Sequence, residues 1–218
     1  DFGYGWTLDV SGTDLKTTAL AGTGTRGSGT TFRPGDLVYI TLPGGDQHAF
    51  QFWPIPNNYD PGNPAGVNPY GGLGVYEGYW VQFVAVDGSD ATLTVPGDIH
   101  ETNIDDRIDL QYDRENNEFY DGFSGQSYNP SRAVFGNNYQ VKTVDGSVYS
   151  VNATTGQLQT STDPNGNTTQ YGPNGVSENG IQLKIERNGP RGTISKIYLA
   201  DASGNQVGNA VTYSYDTT

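Results

Sequence analysis

The sequence predicts an all-β protein, built as a hairpin-rich antiparallel sheet. Glycine occurs 31 times among 218 residues, and turns at that density would interrupt helices. Short runs of β-branched and aromatic residues alternate with Asx-Gly or Pro-Gly turns. No window of helical length keeps apolar residues at helical spacing without a glycine or proline inside it. Fifteen tyrosines, eight phenylalanines and three tryptophans supply enough apolar surface for a folded core.

Three pairs of segments predict hairpins, because each pair consists of two strand-like runs around a short turn. In chain order the pairs are residues 36–42 (DLVYITL) with 47–53 (QHAFQFW), residues 79–86 (YWVQFVAV) with 91–95 (ATLTV), and residues 139–143 with 148–151. Strict alternation of apolar and polar residues predicts a further strand at 104–112.

Residues 54–74 are rich in proline, glycine and asparagine and show no strand pattern. We expect a long loop there, and a domain boundary is the alternative. The chain divides into a hairpin region at residues 1–138 and a repeat-like region at residues 139–218.

The net charge of −13 argues against nucleic acid and anionic lipid as partners, because both would be repelled. No apolar run approaches the roughly 18 residues of a membrane span, so membrane insertion is not expected. The chain contains no cysteine, which excludes disulfides and thiolate chemistry. It begins at Asp1 and contains no methionine, so we expect a segment of a longer protein.

An internal repeat is the most informative feature of the sequence. Each copy has a glycine, a short strand, a D-x-x-G-N turn and a second strand or segment containing tyrosine. The two turns begin at Asp163 and Asp201, 38 positions apart. The motif residues are Gly156, Asp163, Gly166 and Asn167 in the first copy, and Asp201, Gly204, Asn205, Tyr213, Tyr215 and Asp216 in the second.

These residues resemble the RHS/YD-repeat family, in which a Y-x-Y-D segment and a D-P-x-G-N turn recur. Residues 213–216 match the Tyr-Asp segment, and residues 163–171 are similar to the family turn and the strand after it. Gln157 and Thr193 depart from the family pattern, since arginine is usual at both places. The resemblance covers residues 139–218.

The resemblance implies a section of a spiralling β-shell, as in bacterial RHS proteins, toxin-complex cocoons and teneurins. It implies a scaffold in a secreted or cell-surface protein, without enzymatic activity of its own. The implied partners are neighbouring repeats of the same or parent chain, an enclosed toxin domain, or a surface glycan. In some members, a pair of Asp-Pro-x-Gly motifs directs self-cleavage. Only residues 163–166 fit this motif here, so self-cleavage is not expected.

Two other functions stay open from the residues alone. Trp53 and Trp80 are candidates for stacking on sugar rings, which would make the chain a carbohydrate-binding module, with calcium as an optional ligand. Asp105, Asp109 and Asp113 are candidate calcium ligands, or acid and base of a glycosidase. We interpret these three carboxylates instead as the solvated face of an edge strand. No cofactor is expected, and His48 and His100 are interpreted as structural.

Overall fold

The computed structural model of the chain describes residues 12–22, 29–56, 78–96, 109–122, 124–188 and 192–215. The described strands, in chain order, are β1 (Asp14–Thr17), β2 (Leu20–Gly22), β3 (Gly29–Thr31), β4 (Leu37–Thr41), β5 (Gln47–Phe52), β6 (Ile55–Pro56), β7 (Gly78–Trp80), β8 (Phe83–Ala85), β9 (Thr92–Thr94), β10 (Asp109–Asp113), β11 (Glu118–Asp121), β12 (Asn138–Lys142), β13 (Val148–Asn152), β14 (Leu158–Thr162), β15 (Thr168–Gly172), β16 (Gly175–Glu178), β17 (Ile181–Asn188), β18 (Thr193–Ala200) and β19 (Gln206–Thr212).

A sheet of thirteen antiparallel strands forms the body of the molecule. Its strand order is β1-β4-β5-β8-β9-β12-β13-β14-β15-β16-β17-β18-β19, so every strand from β12 onward pairs with its successor in the chain. A second sheet has the order β11-β10-β7-β6, and β2 pairs with β3. The only helical element in the described part of the chain is a 3₁₀ turn at Ala133–Phe135. The predicted all-β fold is confirmed.

The three predicted hairpins form as β4–β5, β8–β9 and β12–β13. The single strand predicted at residues 79–86 is wrong, since this segment divides between the two sheets. Tyr79 of β7 packs its ring on Phe119 in the small sheet, at 5.2 Å between ring centroids. Phe83 of β8 packs on Phe52 in the large sheet, at 5.4 Å. Because Tyr79 and Phe83 pack in different sheets, the apolar run forms two short strands instead of one.

Part of the loop predicted at residues 54–74 is a short strand, because β6 pairs with β7 through Ile55 and Trp80. Residues 57–74 lie outside the described part of the chain. The alternating segment at 104–112 contributes β10, whose Leu110 is fully buried. Residues 104–108 also lie outside the described part.

The core is a cluster of aromatic rings between the two sheets. Phe52 lies at its centre, with ring centroids 5.2–5.7 Å from those of Phe32, Phe83, Phe119 and Tyr128. Strands β4 and β5 alternate, so that Val38, Ile40, Phe50 and Phe52 all point to this side of the sheet and are buried. This alternation fixes which face of the large sheet is the inner one.

The large sheet curls until its first strand meets the middle of the sheet. The hydroxyl Oγ1 of Thr13, just before β1, donates a hydrogen bond to the carbonyl of Gly156 at 2.8 Å. The same oxygen accepts a hydrogen bond from the amide of Leu158 at 3.1 Å. A seam thus joins β1 to the β13–β14 turn across 143 positions of sequence. Strands β15 to β19 extend beyond this seam.

Candidate functional site

Among the described residues, one five-residue turn occurs four times in the large sheet, at residues 42–46, 143–147, 163–167 and 201–205. In each copy the first amide bonds to the fifth carbonyl and the fourth amide bonds to the first carbonyl, at 2.8–3.0 Å. The fourth residue is always glycine, with φ between +85° and +97°. Residues with a side chain rarely adopt this left-handed backbone, which explains the recurring glycine.

An aspartate carboxylate holds the turns of the two repeat copies. Asp163 accepts hydrogen bonds from the amides of Asn165 and Asn167 and from the side chain of Asn167, at 2.8–2.9 Å. Asp201 accepts the equivalent bonds from Ser203 and Asn205 at 2.9–3.2 Å. The Asn167 and Asn205 bonds hold the pKa of Asp163 and of Asp201 below the usual value. These carboxylates stabilise turns, and their oxygens are occupied.

These turns lie along one edge of the sheet. In a meander, every second connection falls at the same ends of the strands. The connections β4–β5, β8–β9, β12–β13, β14–β15, β16–β17 and β18–β19 therefore share one edge. Gly146 and Pro164, from neighbouring turns, approach closely at this edge, since a Cβ on Gly146 would lie 3.9 Å from that of Pro164. A carboxylate accepts a hydrogen bond from the turn's own backbone in four of these described turns, namely Asp87, Asp145, Asp163 and Asp201.

A cavity of about 400 Å³ opens between the first three turns of this row. Its walls include Leu42, Pro43, Thr143 and Tyr149, and it contains the imidazole of His48. Nδ1 of His48 hydrogen-bonds to Oδ2 of Asp87 at 3.1 Å. We take this cavity as the candidate functional site among the described residues, because it is concave and contains a fixed imidazole with carboxylates nearby.

Asp87 is held as an anion by its neighbours. Partial burial acts to raise its pKa, but the hydroxyl and amide of Ser89, the amide of Ala49 and His48 all hydrogen-bond to it. These bonds outweigh burial and lower the pKa of Asp87 to about 2. Asp87 therefore orients His48 over the whole neutral range.

The cavity lacks an arrangement for nucleophilic catalysis among its described residues. A hydroxyl nucleophile needs a base within hydrogen-bond reach. The hydroxyl of Ser89 donates to Asp87 at 2.7 Å, and that of Thr143 donates to Asp145. Both carboxylates have lowered pKa values and are therefore weak bases at neutral pH. Both hydroxyls thus brace their own turns. The geometry supports binding or turn stabilisation at this edge.

A second, open groove of about 900 Å³ lies on the C-terminal strands. Gly172 and Gly175 pair across β15 and β16 in this groove, where neither residue has a side chain. Tyr198 stands in it with Nζ of Lys196 4.3 Å above its ring, and a hydrogen bond with Glu186 raises the pKa of Tyr198. Polar side chains thus dominate this part of the sheet's outer face.

The two candidate sugar-stacking tryptophans differ in their surroundings. Trp53 follows β5 and is 53 % exposed, with its amide bonded to the carbonyl of Gln82 at 2.9 Å. Trp80 ends β7 and is half-buried. The Tyr79 and Phe83 rings near Trp80 pack in or against the core. Of the tryptophans that the structure describes, Trp53 alone offers an exposed ring.

The candidate carboxylates do not gather into a metal site in the described residues. Asp113 ends β10 and accepts hydrogen bonds from the amides of Glu115 and Asn116, so it caps the turn to β11. Asp109 begins β10, and Asp105 lies outside the described part of the chain. The edge-strand interpretation is wrong, because β10 pairs with β7 on one side and with β11 on the other.

The tyrosines of the second repeat copy fasten the end of the sheet. The amide of Tyr213 bonds to the carbonyl of Ser195 at 2.9 Å, which continues the β18–β19 pairing. The hydroxyl of Tyr215 donates to the carbonyl of Ile194 at 2.8 Å. Asp216 lies outside the described residues, and so does His100.

Sequence reasoning missed two interactions. His48 was interpreted as structural, but its pairing with Asp87 across 39 positions carried no sequence signal. The guanidinium of Arg33, in the segment between β3 and β4, lies 3.6 Å from the buried carboxylate of Glu118 on β11 of the small sheet. Both pairs depend on which strands become neighbours, and short-range pattern does not contain that information.

Comparisons with protein-family models, with curated proteins and with solved structures find no match to this chain. The described residues contain no helix long and apolar enough to cross a membrane.

Proposed function

We propose that this chain is a structural and interaction segment of a large secreted or cell-surface protein of the RHS/YD-repeat type. It would form part of a β-shell scaffold and carry no catalytic activity of its own. The observation that carries the proposal is the serial sheet, in which the same glycine turn recurs at residues 143–147, 163–167 and 201–205. These turns start 20 and 38 positions apart, which are close to one and two units of a common period.

The physical argument is that such hairpins cannot bury an apolar face alone and gain stability by stacking on their neighbours. Strands β12 to β19 follow this rule, because each pairs with the next along the chain. The turn carboxylates are engaged in hydrogen bonds to their own backbone, which suits a framework. In this proposal neighbouring repeats are the first partners, and an enclosed toxin domain or a surface glycan would contact the assembled shell.

Surface exposure on intact source cells tests the location. An antibody raised against the recombinant chain should detect the protein in the culture medium or on unbroken cells. Protease added outside the cells should remove the surface signal, while a cytosolic control protein survives. Signal confined to the protected intracellular fraction would contradict the proposal.

A carbohydrate-binding module is the second candidate, because Trp53 exposes half of its surface. Aromatic rings in such positions stack on the apolar faces of sugars. A glycan array with and without calcium tests this function, with Trp53→Ala as the variant and Ile181→Ala as the control. Ile181 is 62 % exposed at the start of β17 and lines neither cavity. Binding that only Trp53→Ala abolishes would favour the module, and no binding by the wild type would exclude it for the glycans tested.

A further inference from the structure

The open groove on the C-terminal strands lies on the outer face of the large sheet. Tyr171 packs against the aromatic core on the inner side. Its neighbour Gly172 therefore faces the opposite side, since successive residues of a strand alternate. Direct cross-strand partners share a face, and here they are Gly172 with Gly175, Gly175 with Lys184, and Lys184 with Tyr198. These four residues line the groove, which crosses β15, β16, β17 and β18.

Gly172 is the most informative residue of the groove, because nothing among the described residues requires glycine there. Its backbone lies outside the left-handed region, and the nearest atom to an added Cβ is the carbonyl oxygen of Gly175 at 3.9 Å. Gly175 differs, since its φ is +139° and an added Cβ would overlap the carbonyl of Leu183. Glycine in a paired strand weakens the strand and often marks the close approach of a ligand. Gly172 thus keeps the floor of the groove open.

A row of neutral polar side chains lies beside this floor. Gln170 pairs with Ser177, and Ser177 pairs with Gln182, so the three side chains share the outer face. All three residues line the groove. In the described part of the chain, none of them has a side-chain hydrogen-bond partner. Amide and hydroxyl groups both donate and accept hydrogen bonds. The hydroxyl groups of sugars do the same, so this row matches their chemistry.

Tyr198 also lines the groove, and its ring is held in place. Nζ of Lys196 lies 4.3 Å from the centroid of the ring, and the Tyr198 hydroxyl shares a hydrogen bond with Glu186. Glu186 and Lys196 are themselves cross-strand partners. A ring fixed in this way loses little conformational entropy when a ligand packs on it. Tyrosine combines an apolar ring with a polar tip, which suits the C–H groups and hydroxyls of a sugar.

The charge distribution favours an uncharged ligand at this place. Residues 168–218 contain four basic and four acidic residues, so the whole net charge of −13 lies in residues 1–167. A polyanion would be repelled by that part of the chain, and a polycation would be drawn to it and away from the groove. An uncharged ligand experiences neither effect.

The strand pairing favours a sugar chain over a peptide. Each strand from β15 to β18 is hydrogen-bonded to a neighbour on both sides, so its backbone groups are occupied and cannot receive an added peptide strand. The groove therefore offers side chains to its ligand. Neighbouring strands lie about 4.8 Å apart, which separates Gln170 on β15 from Tyr198 on β18 by about 14 Å. A single sugar ring is shorter than this distance, and an oligosaccharide spans it.

We propose that the open groove binds a neutral oligosaccharide. The sugar chain lies over Gly172, packs on the ring of Tyr198 and hydrogen-bonds to the row of neutral polar side chains. This site is separate from Trp53, which follows β5 and does not line the groove. The proposal assigns a site to the surface glycan named as a partner of the scaffold, and to that extent it rests on the proposed function. All the residues of the site belong to this chain, so the binding can be measured on the chain alone.

Affinity electrophoresis of the 218-residue chain tests the groove. The chain is run in native gels that contain a neutral polysaccharide (a β-glucan, xylan, galactomannan or dextran) or an acidic one (hyaluronate or polygalacturonate). At least one neutral polysaccharide should retard the wild type. Gly172→Tyr fills the floor of the groove and should abolish the retardation. Gln182→Ala removes one hydrogen-bonding group and should weaken binding about 2- to 10-fold. Circular dichroism checks that each variant is folded.

Ile181→Tyr is the matched control, because it places the same ring on the opposite face of β17, outside the groove, and should bind like the wild type. A wild type that no neutral polysaccharide retards would overturn the proposal, and so would retardation by the acidic polysaccharides alone. Unchanged binding by a folded Gly172→Tyr variant, or by Gln182→Ala, would overturn it as well. If Trp53→Ala abolishes binding and Gly172→Tyr does not, the glycan binds at Trp53 and the groove proposal fails. The cell-surface location and the native mass test the scaffold function separately from all these results.

Discussion

Replacing Gly156 by alanine tests the seam that closes β1 onto the middle of the sheet. Gly156 has φ of +71°, and a Cβ there would lie 3.0 Å from Cβ of Leu15 and 3.3 Å from its amide nitrogen. The left-handed backbone costs an alanine about 1–2 kcal/mol. Displacing Leu15 adds about 1–3 kcal/mol of overpacking. The Thr13 hydrogen bonds beside Gly156 would be disturbed as well.

Gly166→Ala is the matched control for this change. Gly166 has φ of +86°, but no atom lies within 4 Å of its added Cβ. The same side chain is added and the same freedom of the unfolded chain is lost, so these contributions cancel in the comparison. The difference in stability between the two variants therefore reports the contact of the new Cβ at position 156 with Leu15.

Calorimetry or thermal circular dichroism measures the difference. One kcal/mol corresponds to roughly 2–4 °C in Tm for a chain of this size. We expect Gly166→Ala to lower Tm by roughly 2–8 °C, and Gly156→Ala by roughly 2–12 °C more. Equal losses for the two variants would refute the seam, because they would mean that β1 does not approach Gly156.

Three further predictions concern the core, the pH dependence and the exposed tryptophan. Phe52→Ala removes the central ring of the core and should cost about 3–5 kcal/mol in denaturant unfolding. The pKa of Asp87 is about 2 in the folded chain, compared with 3.8 for an unperturbed aspartate. The stability it contributes is therefore complete above about pH 4 and is lost as the pH falls toward 2. Asp87→Asn should lower Tm at pH 5 and should make Tm fall less steeply as the pH is lowered. An unchanged dependence of Tm on pH would contradict the hydrogen bonds of Asp87 with Ser89, Ala49 and His48. Trp53→Ala should lower Tm by less than Phe52→Ala does, since Trp53 is half exposed and Phe52 is fully buried; an equal or larger loss would show that the Trp53 ring packs like a core residue.

The sequence predicted the hairpins well because their signals are local. Glycine at a left-handed turn position and alternation in the flanking runs lie within about a dozen residues, as at Asp145-Gly146. The same local reasoning failed at residues 79–86, where one apolar run continued across a change of sheet. Only the packing of Tyr79 on Phe119 of the small sheet and of Phe83 on Phe52 of the large sheet reveals that change.

The candidate site was less accessible to sequence reasoning, because it depends on which strands become neighbours. His48 and Asp87 carry no joint motif, and they meet because β5 pairs with β8. The interior position of β10 was equally hidden, since alternation alone does not distinguish a central strand from an edge strand.

The mass of the protein as it occurs in its source tests the proposed function most directly. Intact mass spectrometry of the isolated native material, with peptide coverage of residues 139–218, gives this mass. The scaffold proposal predicts a polypeptide far heavier than 23.4 kDa, with further repeats beside this segment. A native mass equal to 23.4 kDa would contradict it and would favour an independent binding module.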